Sequence, residues 1–211
     1  MTASRDLHGA VLTPPFYNDL TLSLAHAWSL LEDGSSNRRS AFHTPSVASL
    51  DRDGAPTQRV MILRQVNRSL RTLRFNTDMR SAKVSEWLED RRASVLAYSA
   101  DEKIQIRLNG VMSLDPASET ADAVWTDMRD QSRVCYSQPA APGALVASPD
   151  EWQPPSALAL DDPRAGAARA HFCVLHFAIT RLDFVFLSVR GNRRARFAWP
   201  NGELCAQWQA P

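Results

Sequence analysis

Residues 58–83 read QRVMILRQVNRSLRTLRFNTDMRSAK, and the reading of this stretch decides the fold. Two runs alternate as strands do, over residues 57–65 and 70–76, and Asn67-Arg68-Ser69 turns the chain between them. In the first run Val60 and Ile62 fall on one face, with Arg59, Met61 and Leu63 on the other. Arg80-Ser81-Ala82-Lys83 then opens a helix that runs to about Asp90, with Val84, Trp87 and Leu88 inward. Arg59 and Arg64 project to opposite faces, and the run 60–63 between them reads as buried on both sides. Charges bordering such a run are costly unless they are paired or hold an anion. Arginine offers a planar fork suited to phosphate, and Ser81 and Lys83 add a hydroxyl and an ammonium at a helix start. On pattern alone, solvated strand arginines and an ordinary helix cap explain these residues as well as an anion site does.

Working outward, Leu20, Leu24, Ala27, Trp28 and Leu31 form a helical stripe that Asp33-Gly34 should end. Residues 1–15 read as a loose arm. Residues 45–50 alternate and turn back through Asp51-Arg52-Asp53-Gly54, a hairpin signal. Downstream, strands are expected over 93–99 and 104–114, the second with Ile104, Ile106 and Leu108 inward, and a helix over 117–129 with Pro116 at its start. Residues 137–170 are proline-rich and read as a long irregular loop. Strands are again expected over 172–179, 182–189, 194–199 and 203–208. Short strands joined by tight turns, with helices between some of them, imply one domain over 1–211. Its class is mainly β with peripheral helices, an antiparallel β-barrel.

Lys and Arg total 24 against 23 Asp and Glu, a net charge of +1, which gives no footprint for nucleic acid or an anionic membrane. Three scattered cysteines without a C-x-x-C read as reduced thiols, and the N-terminus has no continuous apolar run; the expected location is the cytoplasm. No apolar stretch is long enough to span a membrane. Glycine-rich phosphate loops and a G-x-S-x-G elbow are absent, and the histidines are scattered, so no metal site is expected. Cys135 has no evident base beside it.

Taken together, RVMILR at 59–64, FNTDMRSAK at 75–83 and IQIRLNGV at 104–111 resemble the FMN-binding split-barrel family typified by pyridoxamine 5'-phosphate oxidase. RRARF at 193–197 and the closing WQAP fit the same pattern, so the resemblance covers about residues 20–136 and 172–211. It implies an antiparallel split barrel and a homodimer with FMN at the interface. By position, Arg59 and Lys83, with Ser81 at the helix start, would grip the FMN phosphate. Val60, Met61 and Ile62 would run along the flavin ring, and Asn76 and Thr77 would meet the phosphate or the ribityl chain. Gln105 would bond the cofactor, Gln138 would reach it from the partner subunit, and Arg196 would lie near the ring. A cation there stabilises the reduced, anionic flavin.

The substrate set implied is Arg64, Trp125, Arg129, Ser132 and Arg194, holding a small molecule that carries a phosphate; plain core packing explains Trp125 equally well. Two departures stand out. Ala82 replaces a cation of the family's phosphate grip, and the family's Arg-x-His before the last flavin arginine is not reproduced in Asn192-Arg193-Arg194-Ala195-Arg196. The implied reaction is hydride transfer from pyridoxamine or pyridoxine 5'-phosphate to the flavin, with oxygen as acceptor. The missing Arg-x-His keeps two alternatives open. One is an NAD(P)H-dependent flavin reductase or oxidase of another small molecule, the other a non-catalytic FMN- or haem-binding module.

Overall fold

The computed structural model describes residues 13–211, so most of the expected N-terminal arm lies outside the described residues. Pro15 already opens a short helical turn, Pro15–Asn18. Helix α1 (Leu20–Ser36) follows, capped by the Asp19 carboxylate, which accepts from the Leu22 amide at 2.9 Å. Leu24, Ala27, Trp28 and Leu31 are buried, as the stripe predicts. The helix does not stop at Gly34. A Cβ there would sit 2.6 Å from the Phe42 carbonyl oxygen, so the glycine serves a close approach rather than a cap.

Strands β1 (Ser46–Leu50) and β2 (Pro56–Val60) form the expected hairpin, with Ser46 opposite Val60. The chain then leaves the ladder, and β3 (Gln65–Asn67) begins a separate pairing with β4 (Thr72–Asp78). The one strand expected over 57–65 is therefore two. Its apolar run is buried on one side only: Met61 and Leu63 are 7% and 0% exposed, Val60 and Ile62 67% and 40%. Period-two alternation turns the second pair outward, where none of the described residues covers them.

Strands β5 (Arg92–Ser99), β6 (Ile104–Asp115), β7 (Phe172–Phe186), β8 (Arg193–Ala198) and β9 (Cys205–Gln209) complete a nine-stranded antiparallel sheet. Its main order is β2-β1-β5-β6-β7-β4-β3, with β8 and β9 branching from β7. The sequence pattern breaks β7 near residue 180, but the structure keeps it whole. One edge follows β6 throughout; the other is shared, residues 172–178 pairing with β4 and residues 181–186 with β8. Thr180 is the extra residue of a bulge between the pairs Asn109–Arg181 and Gly110–Ile179. A Cβ at Gly110 would lie 2.0 Å from the Ala178 carbonyl oxygen, so only glycine permits this crossing. Two strands on one edge of β7 split the barrel, and the expected antiparallel split barrel with peripheral helices is what forms.

The main core packs Phe75, Ile106, Leu108, Phe177 and Phe184 against Trp28 and Trp87. A smaller cluster joins Trp125, Tyr136, Leu158 and Phe172. Helix α2 (Ala82–Glu89) buries Val84 and Trp87, but Leu88 is 66% exposed, because one further residue rotates it about 100° away from Trp87. Helix α3 (Glu119–Thr126) starts later than the sequence predicts. Ser118 caps it, and Pro116 lies ahead of the cap. Short α4 (Asp130–Arg133) follows. Residues 137–170 are irregular apart from the turn Pro149–Glu151 and the start of α5 (Ala165–His171). Among the described residues no helix is long and apolar enough to cross a membrane.

Candidate functional site

Two groups of cations lie against this frame, and they differ in how they are satisfied. The first sits where β1 and β2 meet α2. Arg59 donates from Nη2 to the Glu86 carboxylate at 2.9 Å and to Thr57 Oγ1 at 2.9 Å, and from Nη1 to Ser49 Oγ at 2.5 Å. The Ser49 and Thr57 hydroxyls donate to the same carboxylate oxygen. The guanidinium also lies 5.6 Å from the centre of the Trp87 ring. Burial alone would raise the Glu86 carboxyl. Hydrogen bonds from Ser49, Thr57 and Arg59, with the Arg59 charge, instead hold it below its ordinary range.

Lys83, on the same helix as Glu86, has its ammonium pushed below the ordinary value by burial and then by Arg59. It makes no side-chain hydrogen bond or ion pair among the described residues. Ser81 precedes α2, but its hydroxyl donates to the Asp78 carbonyl at 2.7 Å and closes a turn. Asp78 in turn pairs with Arg80 at 2.8 Å. Glu86 was not visible in the sequence reading. Its only signal is its place one helical turn after Lys83.

The second group lines a cleft of about 230 Å³ beside β4. Arg38 comes from the loop after α1, Arg64 and Arg74 from the start of β3 and from β4, and Arg129 and Ser132 from α4 and its cap. The Arg64 amide donates to the Arg74 carbonyl at 2.9 Å, which brings the two side chains to one place. Among the described residues none of the four guanidiniums makes a hydrogen bond or an ion pair. Arg64 Nε, Arg74 Nε and the Asn76 side-chain oxygen are buried and have no partner. Burial, then the charge of Arg64, lowers the Arg74 guanidinium from its ordinary value. The one carboxylate on the lining is that of Asp127, on an exposed residue.

Three of the expected substrate residues, Arg64, Arg129 and Ser132, thus converge on one cleft, and Arg38 and Arg74 join them unforeseen. Trp125 is a core residue, 5% exposed and edge-on to Tyr136 at 5.8 Å between ring centres. Arg194 lies elsewhere: it is on β8, at the other end of β7, paired with buried Asp183 at 2.8 Å. The expected cofactor residues divide as well. Asn76 lines the cleft, while Thr77, next along β4, is buried on the opposite face. Val60, Gln105 and Arg196 share the outer face of the sheet. Val60 is at the β2 edge, Gln105 pairs with Tyr98 and Val185, and Arg196 lies opposite Asp183. Met61 is buried in the main core, and Ile62 is exposed. Gln138 precedes Pro139, whose carbonyl accepts from Arg80 at 3.0 Å. Among the described residues no group of three His, Cys, Asp or Glu could hold a metal.

A flavin mononucleotide would bring a phosphate, a polyol and a polar-edged ring. Lys83 is a partly buried cation without a partner, and Arg196 Nε and the Asn76 oxygen are buried polar atoms without partners. Such atoms are the mark of side chains that meet a polar group from outside the chain. Lys83, Arg196 and Asn76 are thus side chains of the kinds that an FMN phosphate, polyol or ring edge would meet.

Comparison with known proteins gives the same direction. Residues 25–115 match the family described as pyridoxamine 5'-phosphate oxidase, FMN-binding domain. FMN is the cofactor of that family. Pyridoxine/pyridoxamine 5'-phosphate oxidase 2 of Arabidopsis thaliana is 26% identical over 169 residues, covering 75% of this chain and 81% of that protein. Among solved structures, a pyridoxamine 5'-phosphate oxidase-related, FMN-binding protein of Nostoc punctiforme superposes with a TM-score of 0.66 at 20% identity, over 95% of this chain and 100% of that one. PhzG of Burkholderia lata, solved with tetrahydrophenazine-1-carboxylic acid, superposes with a TM-score of 0.69 at 18% identity, over 95% and 98%. The fold is the FMN-binding split barrel that these proteins share.

Proposed function

We propose that this chain is an FMN-dependent oxidoreductase, a single flavin domain, that acts on a small phosphorylated amine or alcohol. The observation that carries the reading is the cleft in which Arg64, Arg129 and Ser132 converge, with neither guanidinium in an ion pair among the described residues. It lies beside Asn76, within the segment that matches an FMN-binding domain. The Arabidopsis relative, named for pyridoxine and pyridoxamine 5'-phosphates, supplies the substrate class.

In this reading Lys83 and Arg59 hold the FMN phosphate. Glu86 fixes the direction of the Arg59 fork, while the Lys83 ammonium, one helical turn before Glu86, keeps its donors free for the anion. FMN held by Lys83 and Arg59 would supply the redox chemistry, acceptance of a hydride from the substrate with oxygen as the final electron acceptor. Arg64, Arg129 and Ser132 hold the substrate phosphate and so orient the carbon that bears the amine or alcohol. The exposed outer face, where Val60, Leu96 and Tyr98 are 67%, 40% and 48% exposed, is the surface for a second copy, with FMN between the subunits. Gln105 and Arg196 sit on that face and would meet the cofactor there.

The test is anaerobic mixing of the FMN-loaded protein with pyridoxamine 5'-phosphate and with other phosphorylated amines and alcohols. Loss of the oxidised flavin's visible absorbance, restored by air, is the expected result. An unchanged spectrum with all of them, together with steady oxidation of NADPH in their absence, would move the assignment to a flavin reductase.

A further inference from the structure

We propose that the cleft beside β4 takes a ligand with two anionic groups, a phosphate ester that also bears a carboxylate or a second phosphate, and that Arg74 and Arg38 hold the second group. The inference rests on the reading of the cleft as a substrate site and narrows the substrate class.

Charge decides the point. Arg38, Arg64, Arg74 and Arg129 bring four positive charges to the lining and Asp127 one negative charge, a balance of 4 − 1 = +3. A phosphate monoester carries about −1.5 to −2 near neutral pH. One such group would leave about one positive charge uncompensated in a partly buried site. Uncompensated charge of that kind is disfavoured. The sequence offers no internal remedy, since none of the four guanidiniums has a carboxylate partner among the described residues. Other arginines of this chain do find one: Arg80 with Asp78 at 2.8 Å, Arg169 with Asp122 at 2.5 Å and Arg59 with Glu86 at 2.9 Å.

Geometry supports the division of labour. Arg129 and Ser132 belong to one short segment, α4 and its cap, and together present a guanidinium and a hydroxyl to one group. Arg74 stands on β4, on the same strand face as Asn76. Its Nε is buried without a partner, a donor left for a group from outside the chain. Arg38, from the exposed loop after α1, closes the lining on the solvent side. A half-buried donor on β4 and an exposed one from the loop after α1 suit a second group, separate from the phosphate held by α4 and its cap.

The experiment uses FMN-loaded protein and two probes that differ by one anionic group: 3-phosphoglycerate and glycerol 3-phosphate. Titration calorimetry should show 3-phosphoglycerate binding tighter by about 10-fold or more, the effect of a charge-assisted hydrogen bond. Arg74→Met should abolish that preference while glycerol 3-phosphate binds as before, and retained flavin absorbance shows that the variant is folded. Equal affinity for the two probes in the unsubstituted protein would overturn the second-anion site and leave the phosphate site standing. Binding of neither probe to flavin-loaded protein would overturn both. A preference that survives in Arg74→Met would remove Arg74 from the site and overturn the assignment made here.

Discussion

The two cationic groups of this protein are built from the same side chain and solve opposite problems. At the junction of β2 and α2, Arg59 has its carboxylate in the fold: Glu86 accepts from it, and Ser49 and Thr57 complete the set. In the cleft beside β4, Arg38, Arg64, Arg74 and Arg129 make no ion pair among the described residues, and Arg64 Nε and Arg74 Nε stay unpartnered. A fold that pairs one arginine so thoroughly has the means to pair others. What it leaves unpaired in a concave site is matched to something the chain does not itself supply. The first group is a paired structural set, proposed above as part of the cofactor grip; the second is the proposed substrate site.

The largest effect expected from breaking this contrast is at Glu86. Glu86→Ala strips Arg59 of its partner in a setting where the two side chains are only 24% and 11% exposed. Loss of one partner of a largely buried pair, discounted for the solvent that Arg59 still meets, should cost about 2–4 kcal/mol in urea unfolding. An effect near zero would mean that the pair is ornamental. The same pair sets an acid limit. Because the Glu86 carboxyl is held below its ordinary 4.5, its contribution is complete above that pH and is lost as pH falls through the lower, folded value. Unfolding midpoints measured from pH 6 downward should therefore fall more gently in Glu86→Ala than in the parent.

Next in size is Arg59→Ala, which should weaken FMN binding by about 1.5–3 kcal/mol in a fluorescence titration, the range for a charge-assisted hydrogen bond. Unchanged affinity would leave Lys83 as the phosphate's cation and reduce Arg59 to a partner of Glu86. The smallest effect has the opposite sign. Arg74→Met removes one of several like charges and an unpartnered buried donor, so the protein without ligand should gain up to about 1 kcal/mol of stability. A carboxylate whose loss strands a paired arginine and destabilises, and an unpaired arginine whose loss stabilises, are the contrast in measurable form. Destabilisation by Arg74→Met would erase it.

Much of this was legible in the chain. The inward stripe of α1, the hairpin at Asp51–Gly54 and the alternation of Ile104, Ile106 and Leu108 are local patterns, and local patterns survive folding. Arg64 stands in the quoted RVMILR, Arg129 and Ser132 were expected by position along the resemblance, and the fold brings the three to one cleft. Arg38 and Arg74 were not legible: each reads as an ordinary surface arginine, and only the register of β3 on β4 and the placing of α4 bring them together. Glu86 was hidden for the same reason, since a helix-surface glutamate gives no sign of the serine and threonine that face it from β1 and β2. The unbroken β7 was missed because residues 180 and 181 look like a turn, while a bulge opposite Gly110 absorbs the extra residue. Trp125 joined the substrate set by position alone, and its burial beside Tyr136 and Phe172 returns it to the core.

The central claim, a flavin protein whose second cationic site awaits a substrate, is tested most directly by one spectrum. The purified protein is incubated with excess FMN, passed through gel filtration, and its visible absorbance recorded in the protein fraction. The account predicts one oxidised flavin retained per chain, eluting with a dimer. A colourless protein, with all the FMN in the small-molecule fraction, would contradict it.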